Sequence, residues 1–187
     1  MKYENVALRE VLEFWFEELT PEDWYKGGEE LDNKIIDRFS ALHAELAAGE
    51  YGDRRETSHD YLAEVIVLDQ FSRQIYRGQA EAFAWDDMAI ELAQEAVAKG
   101  FDEELGQSEK QFLYMPYMHS ESKEVHAEGL PLFEKLGNEG TLKYEIIHKD
   151  IVDQFGRYPH RNKQLGREST PEEIDYLENN QESFFAS

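Results

Sequence analysis

The 187-residue chain contains no cysteine. That single absence excludes a disulfide framework, a thiolate metal site and a cysteine nucleophile. Positive charge is scarce as well: 19 Lys and Arg stand against 41 Asp and Glu, a formal net charge of −22. A surface of that balance repels nucleic acid and anionic membranes over most of its extent, so neither is an expected partner. No stretch approaches the roughly 18 apolar residues of a membrane span. The first residues, Met1-Lys2-Tyr3-Glu4-Asn5, lack the basic stretch and apolar run of a secretory signal. The expectation is a cytoplasmic protein. What the chain does have is apolar content, 41% hydrophobic and 13% aromatic. Its length suits one domain spanning residues 1–187, with a sizeable core that needs neither disulfide nor metal.

Runs of alternating β-branched residues are also missing, and the periodicity is helical almost throughout. Val11, Phe14, Trp15 and Leu19 mark a first helix, with Pro21 following its end. Leu31, Ile35, Phe39, Leu42 and Leu46 mark a second, which Gly49 can terminate. A third runs from about Ser58 to Tyr76, and a fourth begins near Asp86 and stops before Gly100. Ser108 and Gln111 resemble a capping box that opens a fifth helix, ending at about His119. A sixth covers roughly Ser122 to Leu136 and a seventh Leu142 to Phe155. Thr170-Pro171-Glu172-Glu173 is a further start signal, with an N-cap, a proline at the first position and acids in the first turn. The fold class is all-α, and the short connections favour stacked antiparallel helical hairpins.

Between Gln154 and Arg167 the acidic chain has no acidic residue, yet it places Arg157, His160, Arg161, Lys163 and Arg167 there. Gly156 and Pro159 stiffen the turn from which Arg157, His160, Arg161 and Asn162 project. Arg and Asn donors suit a carboxylate or a phosphate, and Arg can grip either in a bidentate manner. On the third helix Asp69 shares the stripe of Val65 and Ile66, and Arg73 follows at i+4. An ion pair there is costly to desolvate and calls for a reason, whether a site or a structural clamp. Pro116 falls inside the fifth helix, where it predicts a kink or an early end near His119. Ser120 and Glu121 would then open the next helix as cap and first-turn acid. His148 lies on the seventh helix beside Ile147, Ile151 and Val152.

Metal and nucleophile motifs are absent. His119-x-Glu121 and His148-x-Asp150 put their residues two apart, which does not place them on one helix face. There is no His-Glu-x-x-His, no Gly-x-Ser-x-Gly elbow and no Gly-rich phosphate loop. No metal and no cofactor are expected.

Taken together, these blocks resemble a bacterial family catalogued as domain of unknown function 924. The matching segments are Val67-Leu68-Asp69-Gln70-Phe71 with Arg73, Tyr76-Arg77-Gly78, Phe83-Ala84-Trp85-Asp86 and Met115 to Glu121. Phe155 to Asn162, Leu165-Gly166-Arg167 and Ser169 to Glu173 complete the set. Ser72 stands where the family usually has Pro, and Tyr158 where Phe is usual. The resemblance implies a tetratricopeptide-like, right-handed helical array and supplies no established activity.

Three readings of function follow. In the first, a small-anion site forms where the third, fifth and seventh helices converge. Asp69, Arg73, Arg77, Glu121, Arg157, Arg161 and Asn162 would bind a phosphate or carboxylate there, and His119, His148 or His160 would handle protons. In the second, a helical groove takes a peptide or protein terminus, with Tyr114, Tyr117 and Trp24 forming an apolar patch. In the third, the Asp–Arg–His network only braces the fold.

Overall fold

The computed structural model describes residues 5–180. All but the last residue of the N-terminal segment Met1 to Asn5 therefore lies outside the described residues. The described part is built from helices joined by short turns, with no strand. Helix α1 (Val6–Glu13) runs into a π turn at Phe14–Glu18, and α2 (Pro21–Lys26) and α3 (Glu29–Ala47) follow. Helix α4 is continuous in three parts: Ser58–Val65, a π turn at Ile66–Phe71, and Ser72–Ile75. Then come α5 (Asp86–Ala98), α6 (Gln107–His119), α7 (Lys123–Leu136), α8 (Glu139–Phe155) and α9 (Pro171–Asn179). Short 3-10 turns at Ala80–Phe83 and Pro159–Arg161 carry site residues. No helix among the described residues is long and apolar enough to cross a membrane.

Helix α4 is apolar on every side. Residues Leu62, Ala63, Val65, Ile66, Val67, Leu68 and Phe71 are all fully buried, as a helix must be when it sits at the centre of a core. Helices α1, α3, α5 and α6 pack around it. The small residues Ala89, Ala93 and Ala96 of α5 are buried on that packed face. Aromatic rings fill one end: Phe39 lies 4.9 Å from Phe71, and Phe112 lies 4.9 Å from Trp24 and 5.3 Å from Trp15. Beyond α6, the helices α7 and α8 stack in order.

Several element boundaries differ from the sequence expectation for local reasons. Pro21 does not merely follow a helix; it opens α2, capped by Thr20 and Asp23 in the same reciprocal pattern as Thr170 and Glu173 at α9. Helix α6 starts before Ser108, because Glu109 accepts from the Gly106 amide at 2.7 Å. It runs through Pro116 and stops at His119. The N-cap of α7 is Ser122, whose hydroxyl accepts from Val125 N, so Ser120 and Glu121 belong to the linker rather than to the helix start.

Candidate functional site

The π turn of α4 widens the helix around Asp69, and such turns are frequent at functional sites. It holds Asp69 with its carboxylate buried (1% exposed). Asp69 Oδ1 lies 2.7 Å from His119 Nδ1, and Gln70 Nε2 donates to Oδ2 at 2.7 Å. Arg73 donates to the Asp69 carbonyl at 2.7 Å and approaches Oδ1 at 3.4 Å. Its closest carboxylate partner is Asp86, gripped in a bidentate manner at 3.0 and 3.1 Å. Burial works to raise the Asp69 pKa, but His119 and Arg73 outweigh it and hold the carboxyl below its usual range. Burial likewise works against the charge of Arg73, and Asp86 with Asp69 outweighs that too.

The end of α6 is fixed with equal care. A helix leaves its last carbonyls without intrahelical donors, and here three side chains from elsewhere supply them. Tyr158 Oη donates to Met118 O, Arg161 Nη2 donates to His119 O at 3.0 Å, and His126 Nε2 donates to Ser120 O at 2.8 Å. A carbonyl only accepts, so His126 carries its hydrogen on Nε2, which also reaches the Tyr158 oxygen at 3.0 Å. Its Nδ1 faces Glu145 Oε1 at 2.8 Å, and both side chains are fully buried. A proton must therefore sit between that nitrogen and that oxygen, and burial raises the Glu145 pKa in the same direction. His119 is thus held at its backbone and at Nδ1, while its Nε2 has no hydrogen-bond partner among the described residues.

A ring of contacts closes through Arg161. Its guanidinium lies over two rings, 4.5 Å from the centre of Phe83 and 4.6 Å from that of Tyr158. Its Nη1 meets Asp86 only at 3.5 Å, the limit of a hydrogen bond. Its buried Nε has no hydrogen-bond partner among the described residues. Burial, and then the nearby Arg73, push the Arg161 pKa below its usual value, the mark of a cation with too little counter-charge. The ring of Tyr158 also stands 5.5 Å from both His148 and His160. Burial lowers the pKa of His148 to about 3 and that of His160 to about 4, so both are neutral near pH 7.

The other residues expected at the site are placed around this centre or away from it. Glu121 accepts from the Tyr158 amide at 2.7 Å and forms a fork with Arg167 at 2.8 and 2.9 Å. Arg157 grips Glu173 at 2.7 and 2.9 Å, and Asn162 donates to the same carboxylate and to Ser169. Arg77 is elsewhere, paired with Asp32 at 2.6 and 2.8 Å. Tyr158, Asp86, Phe83, His126 and Glu145 are central and were not singled out from sequence. Phe83 and Asp86 stood in a matching block, and Tyr158 in the basic turn; His126 and Glu145 had no local signal.

A family model described as "Bacterial protein of unknown function (DUF924)" matches residues 11–181. The chain belongs to the DUF924 family. A solved structure of a protein of unknown function from Agrobacterium tumefaciens is similar, at 35% identity with a TM-score of 0.89, over 94% of this chain and 98% of that one. No curated protein matches.

In this DUF924 chain, the Asp69–His119 pair stands beside two arginines, Arg73 against the Asp69 carboxylate and Arg161 against the His119 carbonyl. Among the described residues no group of three or more His, Asp or Glu is placed to hold a metal. A serine nucleophile at Ser72 does not fit either. Ser72 Oγ donates to Leu68 O at 2.6 Å, so it accepts from His43 Nε2 at 2.7 Å, the reverse of activation by a base. Two surface clefts, one beside Tyr176 and Gln154 and one between Lys110 and Lys135, include none of the ring residues.

Proposed function

We propose that this DUF924 protein binds a small anion against Arg161 and that His119 Nε2 exchanges a proton with it. One observation carries this reading: His119 is fixed through its backbone and through Nδ1, yet among the described residues its Nε2 has no partner, and neither has the Nε of the buried arginine that holds its carbonyl. A carboxylate on Nδ1 sets the imidazole's tautomer and orientation, which is what a general acid–base needs. Of the sequence candidates, Asp69, Arg73, His119 and Arg161 form this centre, with His148 and His160 lining it across Tyr158.

The brace reading draws support at a different place. Arg157 with Glu173, Arg167 with Glu121, and Asn162 are mutually satisfied and tie the turn to α9 and to the α6–α7 linker. They serve the site by holding its wall. A peptide groove is less favoured, because Tyr114 and Tyr117 are buried and Trp24 is half-buried against Phe112.

A thermal-shift series with sodium phosphate, sulfate and acetate tests the anion site. A bound anion at a hundredfold excess over its dissociation constant stabilises the fold by about 3 kcal/mol. The shift should vanish in Arg161→Gln and persist in Arg157→Ala, with circular dichroism showing both variants folded. A folded wild type that none of the three anions stabilises would leave only the brace.

A further inference from the structure

The arginines around the site hold their carboxylates in two-point forks: Arg73 on Asp86, Arg157 on Glu173 and Arg167 on Glu121. Arg161 does not. It reaches Asp86 through Nη1 alone, at 3.5 Å, and on Oδ2, the oxygen that Arg73 Nη2 already holds at 3.1 Å. Its Nη2 donates to the His119 carbonyl, which carries no formal charge, and its Nε has no hydrogen-bond partner among the described residues. Asp69, the other carboxylate of the ring, is taken by Arg73 at 3.4 Å and His119 at 2.7 Å. Phe83 lies against both guanidiniums, its ring centre 5.5 Å from that of Arg73 and 4.5 Å from that of Arg161. Arg161 thus shares a carboxylate that another cation already grips. Its side chain is only 7% exposed, so water does little to make up the difference.

Asp86 is the fixed member of this trio. It is the first residue of α5, and the Arg73 fork holds both of its oxygens. Arg161 is the member that can change partner, since it gives up one long contact to do so. We infer that Asp86 is the counter-ion an incoming anion displaces from Arg161, and that its charge sets how tightly the site holds that anion. The carboxylate acts as a built-in competitor. It steadies Arg161 before a ligand arrives, and it repels the ligand at close range afterwards. An anion enters only if it gives Arg161 more than the 3.5 Å contact does. Asp86 therefore decides which anions are bound too weakly to enter.

This inference rests on the anion-site reading, and calorimetry with sodium sulfate and sodium acetate at one pH and one salt concentration separates the two. Asp86→Asn keeps the volume and an acceptor for Arg73 but removes the charge. It should bind whichever of the two anions the wild type binds, about tenfold more tightly. Asp87→Asn removes the same charge from the neighbouring, exposed position, where water and salt screen it. There the affinity should change less than about twofold, which separates a competitor at Arg161 from a general loss of negative charge. A purely structural Asp86 gives the opposite sign, because a loosened Arg161 binds anions less well. Unchanged or weaker binding in an Asp86→Asn protein that circular dichroism shows folded, or an equal gain in Asp87→Asn, overturns the inference and leaves the anion site standing. Should Asp86→Asn not fold, a crystal structure of the wild type with the bound anion decides. The Arg161–Asp86 contact should open beyond 3.5 Å while the Arg73 fork stays closed, and an anion on Arg161 with that contact intact overturns the inference. Failure of both anions to bind the folded wild type overturns both.

Discussion

Asp69 Oδ1 and His119 Nδ1 are 2.7 Å apart although fifty residues separate them in the chain. The contact joins the π turn of the central helix α4 to the last residue of α6, so it ties the core to the site. Because both groups are largely out of water, the pair depends on its partners: Arg73 and Gln70 on the carboxylate, and Arg161 on the His119 carbonyl. Replacing Asp69 by Asn keeps the volume and removes the charge. The expected loss is about 3 kcal/mol of unfolding free energy, the scale for breaking a buried charged pair from one side. Urea denaturation measures it, and a loss below about 1 kcal/mol would put the pair on the level of a surface contact.

Tyr158→Phe isolates the capping of α6. The ring, and with it the wall against Arg161, His148 and His160, is retained. Only the hydroxyl that donates to Met118 O and accepts from His126 is lost. A buried carbonyl left without a donor costs about 1–3 kcal/mol. Urea melts should show that loss, and acetate binding should weaken along with it, since His119 follows Met118 directly. Unchanged stability would mean that the helix end finds another donor.

How much of this was legible beforehand depended on whether the signal was local. The basic turn with Gly156 and Pro159, the cap at Thr170, and the position of Asp69 on an apolar stripe all lie within a few neighbouring residues, and they could be read. The i+4 spacing made Arg73 the expected partner of Asp69. In the fold the π turn shifts the register, Asp86 takes Arg73, and His119 takes Asp69. No periodicity announces a π turn, because it is one inserted residue in an otherwise helical pattern. His126 and Glu145 were invisible for another reason. They meet across two helices, and a lone histidine among apolar neighbours looks the same whether or not a carboxylate waits opposite. Thr20-Pro21-Glu22-Asp23 carries the same start signal as Thr170-Pro171-Glu172-Glu173, but a proline at the end of one helix reads equally as its stop and as the first residue of the next.

His43 should give the fold a distinct acid sensitivity. It is fully buried, burial lowers its pKa from 6.5 to about 4, and its Nε2 donates to Ser72. The unfolded chain therefore takes up its proton first. The stability that His43 contributes by staying neutral is complete above pH 6.5 and is lost as pH falls toward 4, about 3 kcal/mol in all and up to about 1.4 kcal/mol per pH unit. Glu64 and Glu145, whose pKa values burial raises, act in the opposite sense at the acid end, so the comparison must be with a variant. His43→Gln keeps a donor for Ser72 and removes the titration. Its unfolding free energy should fall less steeply between pH 6.5 and 4 than that of the wild type, and identical slopes would exclude His43 as the cause.

Arg157→Ala separates bracing from binding. Arg157 holds both oxygens of Glu173, a carboxylate only 2% exposed that also accepts from Thr170 N and Asn162. Without the guanidinium the carboxylate keeps two weaker donors, and the expected cost is about 2 kcal/mol, below the full buried-pair value because Arg157 itself is partly exposed. Acetate affinity should stay within a factor of about two, since the Arg157 guanidinium bonds Glu173 and the Glu168 carbonyl, both outside the ring. A large loss of affinity at unchanged stability would move the ligand to the outer face of the turn.

Gly129→Ala sets helix propensity against packing, and the geometry says which wins. A methyl group at this buried position of α7 would lie 2.7 Å from Tyr117 Cβ on α6, a separation that real side chains do not tolerate. In a helix interior, alanine in place of glycine is ordinarily worth up to about 1 kcal/mol in its favour. Forcing extra volume into a packed interface costs about 1–3 kcal/mol, and here the obstructing atom is a Cβ, which cannot swing away. The variant should therefore be less stable than the wild type in urea. The consequence reaches the site, because α7 also carries His126, whose Nε2 must come within 2.8 Å of Ser120 O to cap the end of α6. Pushing α7 outward loosens that cap next to His119, so acetate affinity should drop together with stability. A Gly129→Ala protein as stable as the wild type would show that the two helices can separate without cost, and the positioning of His119 would then have to rest on Asp69 and Arg161 alone.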